Sequence, residues 1–169
     1  MGTRCFIEEY CTEKCIGTSL LVEGDECYLG ASGGTFREVA CDALPSIAFN
    51  FDVTNSSATT DKGFVVMVDD KCIFLGKGSN FKFFTIEYGK VKIEVKEGSI
   101  IKKWEVVAEA LSRKGTLRKV KSPLEGLLFL IQQDVLSKTE KYVLYIDTSG
   151  QARVLRKHER KERFGENSA

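Results

Sequence analysis

Apolar, aromatic and β-branched residues in the first half of the chain come in runs of five to nine, parted by turn residues. That pattern predicts short β-strands over 4–10, 17–22, 26–31, 35–41 and 46–53. Gly24-Asp25 and Gly33-Gly34 are the turns expected between them. Ile47, Phe49, Phe51 and Val53 alternate with Ala48, Asn50 and Asp52, so one face of the fifth run should be buried and the other wetter. Residues 54–62 have no apolar period and predict an exposed, mobile loop. Strands resume at 63–68 and 71–75 around an Asp69-Asp70 hairpin turn, then at 80–88 and 90–96, joined at Gly89.

The period changes at Gly98. Ile100, Ile101, Trp104, Val107, Ala108 and Leu111 recur at helical spacing, with Arg113, Lys114 and Gly115 as an end signal. A second helix is predicted at 122–137, where Ser122-Pro123-Leu124-Glu125 has the form of a capping box. Leu124, Leu127, Leu128, Ile131 and Val135 would be its core face. Residues 142–146 and 152–155 predict a closing hairpin around Asp147-Thr148-Ser149-Gly150, and 156–169 a charged, disordered tail. The expected fold class is therefore α+β: about 9–11 mainly antiparallel strands packed with two α-helices, as one domain over 1–155.

Composition adds a polarity that the total charge hides. The 169 residues carry a formal net charge of +1. Residues 1–76 hold 5 Lys/Arg against 12 Asp/Glu, and residues 77–122 hold 12 against 5. Such asymmetry points to a polyanionic partner or to self-association. No apolar run is long enough to span a membrane, and the N-terminus does not read as a signal peptide, so the expectation is an intracellular, cytoplasmic protein. Five of the six cysteines fall within the first 41 residues, without a Cys-x-x-Cys pair. They are expected to be reduced and packed as small hydrophobes.

Catalytic signatures are weak. Gly30-Ala31-Ser32-Gly33-Gly34 is similar to the setting of the nucleophile in chymotrypsin-like proteases, yet the sole histidine, His158, lies in the charged tail. Gly76-Lys77-Gly78-Ser79 departs from a phosphate loop, because a strand rather than a helix should follow. The pairs Glu8-Glu9 and Asp69-Asp70 do not converge by local geometry. A non-enzymatic protein without metal or cofactor is expected.

The segment 77–96 is the functional candidate, since it interleaves aromatics with lysines. Phe81 and Phe83 would stack bases, while Lys77, Lys82, Lys90, Lys92 and Lys96 would hold phosphates, with Lys82 on the opposite face. Four strands followed by a helix, over 63–115, resemble the repeating unit of the Whirly and PUR-type single-stranded nucleic-acid-binding folds. That resemblance implies nucleic acid lying on the sheet. A run of antiparallel strands ending in an amphipathic helix also resembles a pleckstrin-homology-like barrel, which implies an acidic peptide or phosphoinositide as partner. The expected function is sequence-independent binding of single-stranded RNA or DNA. The alternatives are such an adaptor or a homo-oligomer assembled through acidic and basic complementarity.

Overall fold

Short apolar runs bounded by turns pair into sheets almost throughout. The computed structural model describes residues 2–9, 19–30 and 34–159. They hold sixteen strands: β1 (Arg4–Glu8), β2 (Ser19–Glu23), β3 (Glu26–Leu29), β4 (Phe36–Val39), β5 (Phe49–Asp52), β6 (Ser57–Thr60), β7 (Phe64–Val68) and β8 (Lys71–Leu75), then β9 (Asn80–Tyr88), β10 (Lys90–Ile93), β11 (Ile100–Ile101), β12 (Val106–Leu111), β13 (Leu117–Lys121), β14 (Gly126–Gln133), β15 (Glu140–Asp147) and β16 (Arg153–Glu159). Helix is confined to a 3-10 turn, Cys41–Ala43, running into α1 (Leu44–Ala48). The chain forms two compact units. The first comprises Met1–Phe49, Thr60–Ser79 and Ala152–Ala169; the second is Asn50–Thr59 with Asn80–Gln151.

The first unit is a closed barrel in the order β1-β4-β2-β3-β16-β8-β7. Phe6, Leu20, Cys27, Phe36, Val65, Met67, Cys72 and Leu155 fill its interior. On the outside of β1 and β7, Cys5, Ile7, Phe64 and Val66 are also buried. Leu44 and Ala48, four residues apart on α1, are buried as well, and Phe49 lies 5.1 Å from the Phe64 ring. Pro45 near the helix start explains why the expected strand 46–53 begins as helix: its fixed φ favours a first helical turn.

Two disulfides hold this unit, correcting the expectation of reduced cysteines. Cys5 is bonded to Cys41, tying β1 to the 3-10 turn. Cys27 is bonded to Cys72, joining β3 and β8, the two strands that flank β16. Cys11 and Cys15 lie outside the described residues.

The second unit has a six-stranded sheet, β11-β14-β15-β9-β6-β5, and a three-stranded sheet, β10-β12-β13. Ile86, Leu128, Leu144 and Ile146 of the first sheet meet Val91, Val107 and Ala108 of the second in one core. The α+β class with two helices is overturned here. Residues 98–115 form β11 and β12 around a turn in which the Glu105 N–H donates to the Lys102 carbonyl. Ser122 does not cap a helix; its Oγ accepts from the Leu124 N–H (3.1 Å) and donates to the Leu124 carbonyl (2.6 Å). Gly126 then takes φ 148°, outside any helix, and Leu127 to Ile131 run on as strand. A short unbroken apolar run has the same appearance in a buried strand and a buried helix. The helix needed for a Whirly-type unit, and the one closing a pleckstrin-homology-like barrel, are thus both strands. The expected loop 54–62 contains β6, paired with β9 and burying Ala58 and Thr60. Its small and β-branched residues suit a strand without marking an apolar period. Residues 142–155 are not a hairpin, because β15 pairs with β9 and β14 whereas β16 joins the barrel. The start of the expected tail, through Glu159, is part of β16.

A Cβ on Gly126 would lie 2.1 Å from the Asp147 carbonyl oxygen, at a φ that L-residues avoid. Gly126→Ala should therefore destabilise the second unit by at least about 3 kcal/mol. A lowered urea midpoint in the emission of Trp104, the single tryptophan, is the readout; an unchanged midpoint would contradict this strand placement. The disulfides close loops of 36 and 45 residues, worth about 4 kcal/mol each in the chain-entropy account. Cys27→Ala combined with Cys72→Ala should lower the barrel's melting temperature by at least about 15 °C, and reductant, which opens both bonds, should lower that of the native protein further in a thermal melt.

Candidate nucleic-acid interface

Strand parity decides which of the predicted residues can meet a ligand. On β9, Phe81, Phe83, Thr85 and Glu87 share one face, while Lys82, Phe84, Ile86 and Tyr88 share the other. Ile86 is in the core between the sheets, with Phe84 and Tyr88 packed against it, so Lys82 emerges at the end of that buried face. The opposite face is aromatic but largely closed. Phe81 is 1 % exposed and meets Phe129 edge-on at 5.0 Å. Phe83, half-buried, lies 5.5 Å from Phe51 and 6.0 Å from Tyr145. The Tyr145 hydroxyl donates to Gln132 at 3.0 Å, and burial pushes its phenol up to about 12. Further along this face, Glu87 accepts from Thr139 at 2.7 Å and Ser137 at 3.1 Å. Those two bonds, with Lys141 nearby, hold its carboxyl below the usual range. Phe81 thus has no ring face open for stacking. It is a core residue, whereas Phe83 is half-buried.

The lysines fare differently. Lys77 sits in the tight turn after β8, where the Ser79 N–H donates to the Gly76 carbonyl (3.0 Å) and Gly78 takes φ 86°. It belongs to the first unit, and a strand follows, as the departure from a phosphate loop implies. Lys96 is exposed in the loop between β10 and β11. Lys90 and Lys92 are brought together with residues that the sequence reading left out. In the three-stranded sheet, Val91 and Ile93 oppose Ala110 and Ala108, and Val120 opposes Ala108. That face looks into the core. The outer face consequently carries Lys90 beside Leu111 and Leu117, Lys92 beside Glu109 and Lys119, and Lys121 beside Val106. Lys90, Lys92, Lys119 and Lys121 are all exposed. Among the described residues none of the four makes an ion pair.

The tip of the β12–β13 hairpin adds Arg113 and Lys114, both exposed. The Ser112 N–H donates to the Thr116 carbonyl and the Thr116 N–H to Ser112 Oγ, which orders this tip. At the other end of the hairpin stands Trp104, 60 % exposed, with Lys103 Nζ 5.3 Å from its ring. A depression of about 280 Å³ opens beside Lys90, Lys92, Leu111, Leu117 and Glu140. Glu140 also accepts from the Val91 N–H at 2.6 Å, fastening β10 to β15. The signal for the added residues was present as the basic stretch Arg113, Lys114, Arg118, Lys119 and Lys121. Assigning the preceding segment to a helix concealed that Lys119 and Lys121 belong to a strand facing solvent, with Arg113 and Lys114 at the hairpin tip before it.

In the barrel, His158 is held on β16, bonded to Glu26 at 2.8 Å and stacked on Tyr28. Hydrogen bonds from His158 and Tyr28 hold the Glu26 carboxyl below its ordinary value. Ser32, of the glycine-rich turn, lies outside the described residues.

The outer face of the sheet thus carries four exposed lysines, with Glu109 in its register and Glu140 beside the same depression. The chain belongs to a family described as "Uncharacterized protein conserved in archaea (DUF2118)", which matches residues 37–148. No curated protein matches the chain. Among the described residues, no helix is long and apolar enough to cross a membrane.

Phe81→Ala is expected to cost about 3–5 kcal/mol of stability, as a large-to-small change in a core. Any effect on ligand binding should disappear once the folded fraction is matched by denaturant titration. A stable Phe81→Ala protein with specifically weakened binding would restore Phe81 to the interface.

Proposed function

We propose that this protein binds nucleic acid through its phosphate backbone, without catalysis and with little sequence preference, on the outer face of the three-stranded sheet. The observation that carries the reading is the register setting Lys90, Lys92, Lys119 and Lys121 on one exposed face, where they outnumber Glu109 of the same register and Glu140 at its edge. Fixed lysines on a sheet neutralise successive phosphates and release their counterions, so affinity from this source is salt-dependent and indifferent to sequence. Exposed Leu111 and Leu117 lie between these lysines and the ordered tip, offering apolar area to a sugar or a base edge. The second unit carries 13 Lys/Arg against 10 Asp/Glu. Its positive balance favours encounter with polyanions at low ionic strength.

Fluorescence anisotropy with labelled oligonucleotides tests this. Four engaged lysines on a single strand predict that log Kobs falls against log salt with a slope of about −3. Lys90→Glu with Lys92→Glu, or Lys119→Glu with Lys121→Glu, should weaken binding and roughly halve the slope. Absence of binding at low salt by folded protein would reject the reading. Binding to acidic peptides or anionic vesicles instead would move the same face to a protein or lipid partner.

A further inference from the structure

We infer that Trp104 is a base-stacking platform that makes this surface select unpaired nucleic acid over duplex; this rests on the basic-face reading above. Trp104 lies at the end of the β12–β13 hairpin, opposite the Arg113-Lys114 tip. Its N–H donates to the Ser122 carbonyl at 2.7 Å, and Ser122 directly follows Lys121. The Ser122 N–H donates in turn to the Glu105 carbonyl at 2.8 Å. The Lys102 N–H is bonded to Glu105 Oε1 at 3.0 Å, closing the turn. The backbone that carries the indole is therefore fixed beside the last lysine of the basic face.

The ring itself is not used by the core. It is 60 % exposed, and its recorded ring contact is Lys103 Nζ at 5.3 Å. A cation over an indole is attracted to the ring's electron-rich face and places a positive charge beside it. Trp104 also has φ 70°, a left-handed conformation in which a bulky L-residue is strained and glycine is at ease. A tryptophan more than half exposed at such a position points to use of its surface. Exposed Lys102 and Lys103 and neighbouring Lys121 supply the phosphate contacts that flank a stacked base. Paired bases inside a duplex present no free ring face to an indole, so stacking discriminates by strandedness, whereas the lysines alone do not.

Trp104 is the single tryptophan of the chain, so intrinsic emission reports on this residue alone. Oligo-dT and oligo-U should quench it on binding, while duplex DNA and inorganic polyphosphate should bind the lysines without quenching. Trp104→Gly removes the ring and relieves the backbone, so it should fold at least as well as the native protein. It should bind oligo-dT roughly tenfold more weakly and polyphosphate unchanged. Oligo-dT that saturates by anisotropy while emission stays constant, or equal oligo-dT affinity for Trp104→Gly, would overturn the stacking role and leave the basic face standing. A flat anisotropy titration would remove both. Emission shifts on anionic vesicles with none on oligonucleotides would overturn it in favour of a lipid surface.

Discussion

Neighbouring residues in an antiparallel ladder share a face, and a slip of one residue sends every side chain to the other side. In the three-stranded sheet this parity is held by burial. Val91, Val107 and Ala108 lie against Ile86, Leu128, Leu144 and Ile146, with Ile93 and Val120 packed alongside. With those residues inside, Lys90, Lys92, Lys119 and Lys121 have to be outside. A slip of β13 against β12 would drive Lys119 and Lys121 toward the core, where an unpaired ammonium is far too costly. Carboxylates reinforce the arrangement at its margins. Glu140 takes the Val91 N–H, and Glu97 takes the Ile131 N–H at 2.7 Å, so β10 and the following loop are fastened to the larger sheet.

One irregularity makes this face continuous with the tryptophan turn. The register shifts between Val106 and Ala108, so Val107 and Ala108 are both fully buried despite being adjacent. Bulges of this kind re-aim a strand where pairing ends. The shift leaves Val106 paired with Lys121 on the solvent side, after which Ser122, fully buried, ties the turn of Trp104 to the turn leading into β14. Gly126 then lets β14 approach Asp147 more closely than a Cβ would allow. The sequence Ser122 to Gly126 acts as a corner between sheets, and the position of Trp104 depends on it.

Much of the strand pattern was legible, and the exceptions share a cause. Strand 80–88 has the predicted limits, and 71–75 pairs across the Asp69-Asp70 turn, where Asp69 takes φ 54°. These strands alternate or are bounded by strong turn residues. The segment Ile100 to Leu111 was misread because two strands separated by a turn happened to place apolar residues at helical intervals. Phe81 was misplaced for a different reason. Phe81 shares its face with exposed Thr85 and Glu87, so nothing local distinguishes an aromatic pointing to solvent from one pointing to Phe129. The lysines of β13 could be counted but not oriented, since orientation came only from pairing with β12. Disulfides are equally non-local: Cys27 and Cys72 are brought together by the barrel's closure around β16.

The acidic character of the first 76 residues looks like an argument against a nucleic-acid binder, and the ion pairs decide its weight. In the barrel, Glu38 is bonded twice to Arg4, Glu9 is paired with Arg37, Asp25 with Arg153, and Glu26 with both Arg156 and His158. The consequence of these contacts is that four of the barrel's carboxylates have a cationic partner within a few ångströms. The lysines on β10 and β13 have only Glu109 among them in the sheet's own register. Four exposed lysines against Glu109 and Glu140 leave that face a positive balance of its own, whatever the charge of the whole chain. A formal net charge near zero describes solubility, and the positions of paired and unpaired charges describe recognition.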